Sequence, residues 1–363
     1  MKGKEYLESL RDMCSDSMQM SRLENLPKER YKDIDYEKIK LISSNMCEQD
    51  KFYNQLGKIL LSNLSHEVEE KLKDVYIGVL PTYRINACTM ADKNLDMPVI
   101  VINTQLMAAI SQYCEAQLIF GKKSIKNEDE AVEWFKREIA KIVDCFIYSQ
   151  YAIKLELLPN ILEKEELELL ASYTLIQELF IIAHEYAHIY LGHLSIGSIE
   201  KTCIADSESK DKSINIYNYD LKKELDADLL ALKWIVEATE KSKEWPFNLF
   251  EDAIYLIIES FQLFHVVDVT LGKWDCYFNK EEDMEKVIYE RLKEIGEEVE
   301  RMITGKTKYN NTHPKTAERI CFLVMKAIEL NQINEEQKVG LLMTLFNSMF
   351  FETYDLREYI VKL

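Results

Sequence analysis

The stretch His184-Glu185-Tyr186-Ala187-His188 puts two imidazoles and a carboxylate within five residues of strongly helical sequence. At ~100° per residue, side chains four apart share one helical face about a turn apart, so one tetrahedral metal ion can take both rings. Glu185 then stands beside the pair, placed to take a proton from a water activated by the metal. Histidine is scarce, six in 363 residues, so the spacing is not a by-product of histidine-rich composition. The competing explanation is a buried helix that happens to carry two histidines. A buried imidazole, however, needs a partner at each ring nitrogen, and a metal supplies one of them. Leu175, Ile176, Leu179, Ile182 and Ala183 run an apolar helical pattern into the motif, and Ala187 stays small between the rings.

A hydrolytic zinc centre needs a third protein ligand and one open position. His193 is nearest, but Gly192 and His193 stand eight and nine residues after His184, where the metzincin pattern wants seven and ten. On a continuing helix His193 lies about 180° around from His184, which makes it a helix-end residue or a support for a ligand. The better candidate is Glu224, in Lys223-Glu224-Leu225-Asp226-Ala227-Asp228-Leu229-Leu230-Ala231. Glu224 and Asp228 share a face, whereas Asp226 falls about 200° away from Glu224. Glu224 can ligate while Asp228 receives the N–H of a ligating histidine and fixes its tautomer. Ala227 and Ala231 allow this helix a close approach to the first. An amphipathic helix with acidic residues on its wet side is the plainer reading, in a chain with 63 acidic residues. Two histidines, one glutamate and a water form the thermolysin-like arrangement.

HExxH followed by E-x-x-A-D-x-x-A resembles the gluzincin peptidase family that groups HtpX, the CAAX prenyl protease and the OMA-type peptidase. Three further stretches are similar to that family. Thr312-His313-Pro314-Lys315-Thr316-Ala317-Glu318-Arg319-Ile320 resembles its THP-P-x-x-E-R-I segment, with Lys315 in place of the second proline. Asn86-Ala87 resembles the Asn-Ala pair on the strand bordering the substrate cleft, and Val99 to Thr104 the strand after it. The resemblance implies a zincin-like catalytic domain in an α+β, predominantly helical fold, with a small sheet and an HExxH active-site helix. It also implies His313 as a donor to the tetrahedral intermediate, Arg319 as its support, and Asn86 and Ala87 in substrate binding by β-augmentation.

That family is largely membrane-associated; this chain carries no evident span. The longest uncharged run, 97–114, is interrupted by Pro98, Asn103, Gln105 and Gln112, whereas a spanning helix needs about 20 predominantly apolar residues. The 247–274 stretch carries Glu251, Asp252, Glu259, Asp268 and Lys273 and reads as core helices. A net charge of −18 without a basic stripe argues against nucleic-acid binding. The charged start, with Lys2, Lys4, Glu5, Glu8, Arg11 and Asp12, reads as no signal peptide. Eight cysteines without a CxxC pair read as reduced thiols, so the expected location is the cytoplasm.

Ten glycines and six prolines favour helices over hairpins. Helices are expected at 4–13, 50–72, 104–120, 128–153, 163–194, 221–239, 281–303, 313–331 and 335–351, and strands at 75–80, 84–88 and 99–103. The polar 195–220 segment reads as a loop or partly disordered insertion between the ligand helices. The expected organisation is an N-terminal helical region over 1–70, a metallopeptidase domain over 71–330, and a helical extension over 331–363. The function expected is a zinc-dependent endopeptidase that hydrolyses peptide bonds of an intracellular protein. His184, His188 and Glu224 hold the metal, Glu185 is the general base, and a regulatory partner is unspecified. A defence or stress-response peptidase latent until triggered fits the same residues, as does a non-catalytic scaffold stabilised by zinc.

Overall fold

The structure, a computed structural model, describes residues 2–14, 46–80, 87–91, 95–124, 162–194, 199–203, 213–217, 221–250 and 316–329, with parts of 127–142 and 253–261. The chain is α+β and mostly helical around a small three-stranded sheet. In chain order it runs α1 (Gly3–Cys14), α2 (Met46–Ser62), α3 (His66–Leu72), β1 (Tyr76–Leu80), β2 (Ala87–Met90), β3 (Val99–Asn103), α4 (Thr104–Ser124) and α5 (Lys164–Tyr190). Then come β4 (Ile199–Cys203), β5 (Ser213–Tyr217), α6 (Leu221–Lys241), a 3₁₀ turn (Phe247–Leu249) and α7 (Thr316–Glu329).

The sheet order is β1-β3-β2, with β3 parallel to β1 and antiparallel to β2. Side chains alternate between its faces. Ile77, Val79, Ala87, Ile100 and Ile102 enter the main core, while Leu80, Met90, Val99 and Val101 meet Leu7 and Leu10 of α1. The outer edge of β1 is covered by polar groups from two helices, which removes an exposed ladder. Asn54 receives the Ile77 N–H at 3.1 Å and Asp50 the Val79 N–H at 2.9 Å. Arg11 donates to the Val79 carbonyl and, at 2.9 and 2.7 Å, to both oxygens of Asp50. α2 thus belongs to the same core as the sheet, although its residues lie in the expected N-terminal region. The expected 50–72 helix is two helices, because Ser65 caps a fresh start at α3.

α5 is the central helix. It packs on α6, α4, α2, α3 and the sheet, which explains its apolar character on nearly every side. By length and composition it is, among the described residues, the one helix apolar enough to cross a membrane, yet 56% of that stretch is buried inside the protein. α5 opens with a capping box between Glu163 and Glu166. Gly57 of α2 lets it come close, since a Cβ there would stand 2.7 Å from the Tyr186 hydroxyl. Tyr186 itself is buried packing.

Within 195–220 the described stretches 199–203 and 213–217 are strands, not the loop their polarity suggests. β4 and β5 pair antiparallel, Ile199 opposite Tyr217 and Cys203 opposite Ser213, and β5 runs close to β2. Ile199, Thr202, Ile214, Ile216 and Tyr217 carry enough β-branched and aromatic character to override the polar composition. The expected helices at 281–303 and 335–351, and the 331–363 extension, lie outside the described residues.

Candidate metal centre

The two ligand helices meet where both are lined with small residues: Ala183, Ala187, Ala227 and Ala231 are fully buried. There His184, His188 and Glu224, all buried, bring one donor atom each within 4.8 Å of one another, a group that could hold a metal ion. The Nε2 atoms of His184 and His188 are 3.0 Å apart. The Glu224 carboxylate straddles them, Oε2 at 3.5 Å from His184 Nε2 and Oε1 at 3.6 Å from His188 Nε2. Asp226 is exposed, on the opposite side of α6.

Each donor is braced from behind. His184 Nδ1 lies 2.8 Å from Asp228 Oδ1, a charge contact more than a directed hydrogen bond, since Nδ1 meets no acceptor along its N–H axis. Asp228 is fully buried and receives Arg319 Nε at 2.7 Å and Nη2 at 2.6 Å. Arg319 comes from α7, stacks 4.9 Å from the Phe261 ring, and stands 3.8 Å from Glu224 Oε2. It therefore serves the acidic pair of α6; His313, which it was expected to support, lies outside the described residues.

His193 sits elsewhere than a continuing helix predicts. α5 ends at Tyr190, and Gly192 adopts φ 71°, a left-handed turn that glycine enters without a steric penalty. The Gly192 N–H bonds the Ile189 carbonyl and the His193 N–H the His188 carbonyl, closing a Schellman motif. The reversal folds His193 back, so its Nδ1 lies 2.9 Å from His188 Nδ1. Its ring is buried and orients His188, as partners of ligating histidines do.

Glu185 faces the sheet side. Its Oε2 accepts a 2.8 Å hydrogen bond from the Thr89 hydroxyl of β2, a residue the sequence reading passed over. The available signal was phase: Thr89 shares the inward parity of Ala87. Ala87 is buried in the main core, so its side chain is packing, and Asn86 lies outside the described residues.

The electrostatics follow from burial and these contacts. Burial pulls the His184 imidazole down, but Asp228 and Glu224 outweigh it and hold its pKa at about 10. Burial and then the neighbouring His184 charge push His188 well below the usual histidine value. His184 is therefore the charged ring of the pair and His188 the neutral one, and their Nε2 atoms face the place where a cation would sit. Glu224, despite burial, is held down at about 2 by the His184 hydrogen bond and the Arg319 charge. Burial pushes Glu185 up, with His184 and Thr89 opposing.

Tested against a tetrahedral zinc ion, the donor set fits. Bonds of ~2.0–2.1 Å put ligand atoms about 3.3 Å apart; the two ring nitrogens are 3.0 Å apart, and each has one Glu224 oxygen near that spacing, Oε2 at 3.5 Å from His184 and Oε1 at 3.6 Å from His188. In comparisons with known proteins, no family model, no curated protein and no solved structure matches this chain.

Proposed function

We propose that the chain is a zinc-dependent endopeptidase of the gluzincin type, acting on an intracellular protein or peptide in the cytoplasm. The observation that carries the reading is the convergence of His184, His188 and Glu224 with Glu185 held alongside. Zinc bound by those three residues would polarise a scissile carbonyl and make water nucleophilic near neutral pH. The chain's own residues then do the rest. Glu185, buried and inclined to hold a proton, takes one from the attacking water and returns it to the leaving amine. Asp228 and His193 hold the two rings in their ligating orientation from opposite sides of the pair. Phe180 and Phe261, buried and 5.6 Å apart with Phe180 6.4 Å from the His184 ring, keep bulk water from that side.

The test compares wild type with Glu185→Gln on whole-cell extract, reading new protein N-termini and zinc content together. New termini made by wild type alone, with zinc equal in both, support the reading. Identical cleavage profiles with zinc in both leave a metal site without peptidase activity, and zinc in neither removes the centre itself.

A further inference from the structure

We infer that Thr89 is a positioning residue for Glu185, its hydroxyl holding one carboxylate oxygen so that the other is presented to the reacting groups. The inference rests on the peptidase reading above and concerns how that site holds its base. Thr89 stands in β2 opposite Ile100 of β3, on the sheet face that otherwise carries Ile77, Val79, Ala87, Ile100 and Ile102. It is the polar exception in an apolar row, 1% exposed, facing a carboxylate that is 5% exposed. Valine has the same shape and suits a buried strand better, so packing alone gives no reason for a hydroxyl there. The hydroxyl proton goes to Glu185 Oε2 at 2.8 Å, and Oγ1 also approaches the Glu185 backbone oxygen at 3.4 Å.

The geometry makes this a fixed support. The ladder to β3 sets the Thr89 backbone, and branching at Cβ leaves its χ1 stiff. A carboxylate with one oxygen tied to the sheet cannot swing about its terminal torsion, so proton exchange is directed to Oε1. Arg319 and Asp228 secure the ligand side in the same way from α7 and α6. Thr89 supplies the equivalent restraint from the sheet, and the base is gripped from an element that carries no metal ligand.

The test uses the zinc-loaded full chain as wild type, Thr89→Val, Thr89→Ser and Glu185→Gln. Three quantities are read: zinc per chain, kcat and KM on fluorescein-labelled casein, and the affinity for acetohydroxamate by calorimetry. Acetohydroxamate chelates the metal and gives its proton to a neighbouring carboxylate, so it reports the placement of Glu185 without needing turnover. Thr89→Val is expected to keep its zinc and its KM while kcat falls roughly 10- to 100-fold, with a similar loss of acetohydroxamate affinity. Thr89→Ser, which keeps the hydroxyl, is expected to restore both to within about threefold of wild type. Wild-type kcat and acetohydroxamate affinity in Thr89→Val would overturn the inference, as would a serine variant no better than valine. Should wild type cleave casein no faster than Glu185→Gln, the peptidase reading fails. The acetohydroxamate series then still decides whether Thr89 places Glu185.

Discussion

Arg319 grips both oxygens of Asp228, at 2.7 and 2.6 Å, across 91 residues of chain. Asp228 in turn backs His184, and the same guanidinium faces Glu224. One arginine from α7 thereby faces two buried carboxylates of α6 and offsets their mutual repulsion beside the candidate ligands His184 and His188.

Arg319→Met should therefore leave the buried Asp228 charge with His184 but without its two arginine hydrogen bonds. The expected loss is about 3 kcal/mol, the low end for a broken buried pair because Arg319 keeps some solvent contact. Zinc affinity should also fall, roughly 10- to 100-fold. Urea unfolding and competition with a chromophoric chelator measure the two effects. A variant as stable as wild type would mean that the pair contributes little.

His193 and Gly192 make a separable prediction. His193→Ala removes the ring that orients His188, and zinc affinity should drop about tenfold with the helical circular dichroism unchanged. Gly192→Ala must place a Cβ in a left-handed turn at φ 71°, costing about 1–2 kcal/mol. If His193 acts only through that turn, Gly192→Ala should weaken zinc binding too. Equal zinc affinity in wild type and His193→Ala would show that the contact with His188 is incidental.

Zinc uptake should release protons. With His184 held at about 10 and His188 neutral, the metal displaces about one proton near neutral pH, because ligating imidazoles must be deprotonated. Affinity should weaken as pH falls. Calorimetry in two buffers of different ionisation enthalpy gives the proton count directly, and a count near zero would contradict a charged His184 beside a neutral His188.

Glu178 predicts a pH dependence of stability away from the candidate metal centre. It lies on α5 and accepts the Tyr53 hydroxyl at 3.2 Å. Burial, opposed in part by that hydrogen bond, pushes its carboxyl from 4.5 up to about 7. Between those values the folded chain keeps a proton that the unfolded chain has given up. This contribution therefore makes stability fall as pH rises through the window, then level off, a total of about 3 kcal/mol. Glu178→Gln should remove this slope and be the more stable form above the window. Urea midpoints of both chains at about pH 5 and about pH 8 test it; parallel curves would show that Glu178 titrates normally.

Much of the site was legible from spacing, for a local reason. Residues four apart on a helix must share a face, so His184 with His188, and Glu224 with Asp228, needed no tertiary information. The small residues at Ala187, Ala227 and Ala231 announced a close helix crossing in the same way. Strand β3 was also readable, since a run of Val and Ile before Thr104 has few other uses.

What the chain's local pattern could not decide is anything that depends on where it reverses or on which distant group fills a gap. His193 changed its neighbours because Gly192 ended α5 early, and a single positive φ outweighs the helical phase. Polar composition hid the β4–β5 hairpin, whose strands are stabilised by pairing with each other. Arg319 and Thr89 reach the site from α7 and β2, and their partners are set by packing, over separations at which sequence spacing carries no angular information. The amino-acid order alone determined which atoms can ligate a metal; the tertiary structure decided which groups hold those atoms still, because orientation in a buried site is fixed by whatever packs behind it.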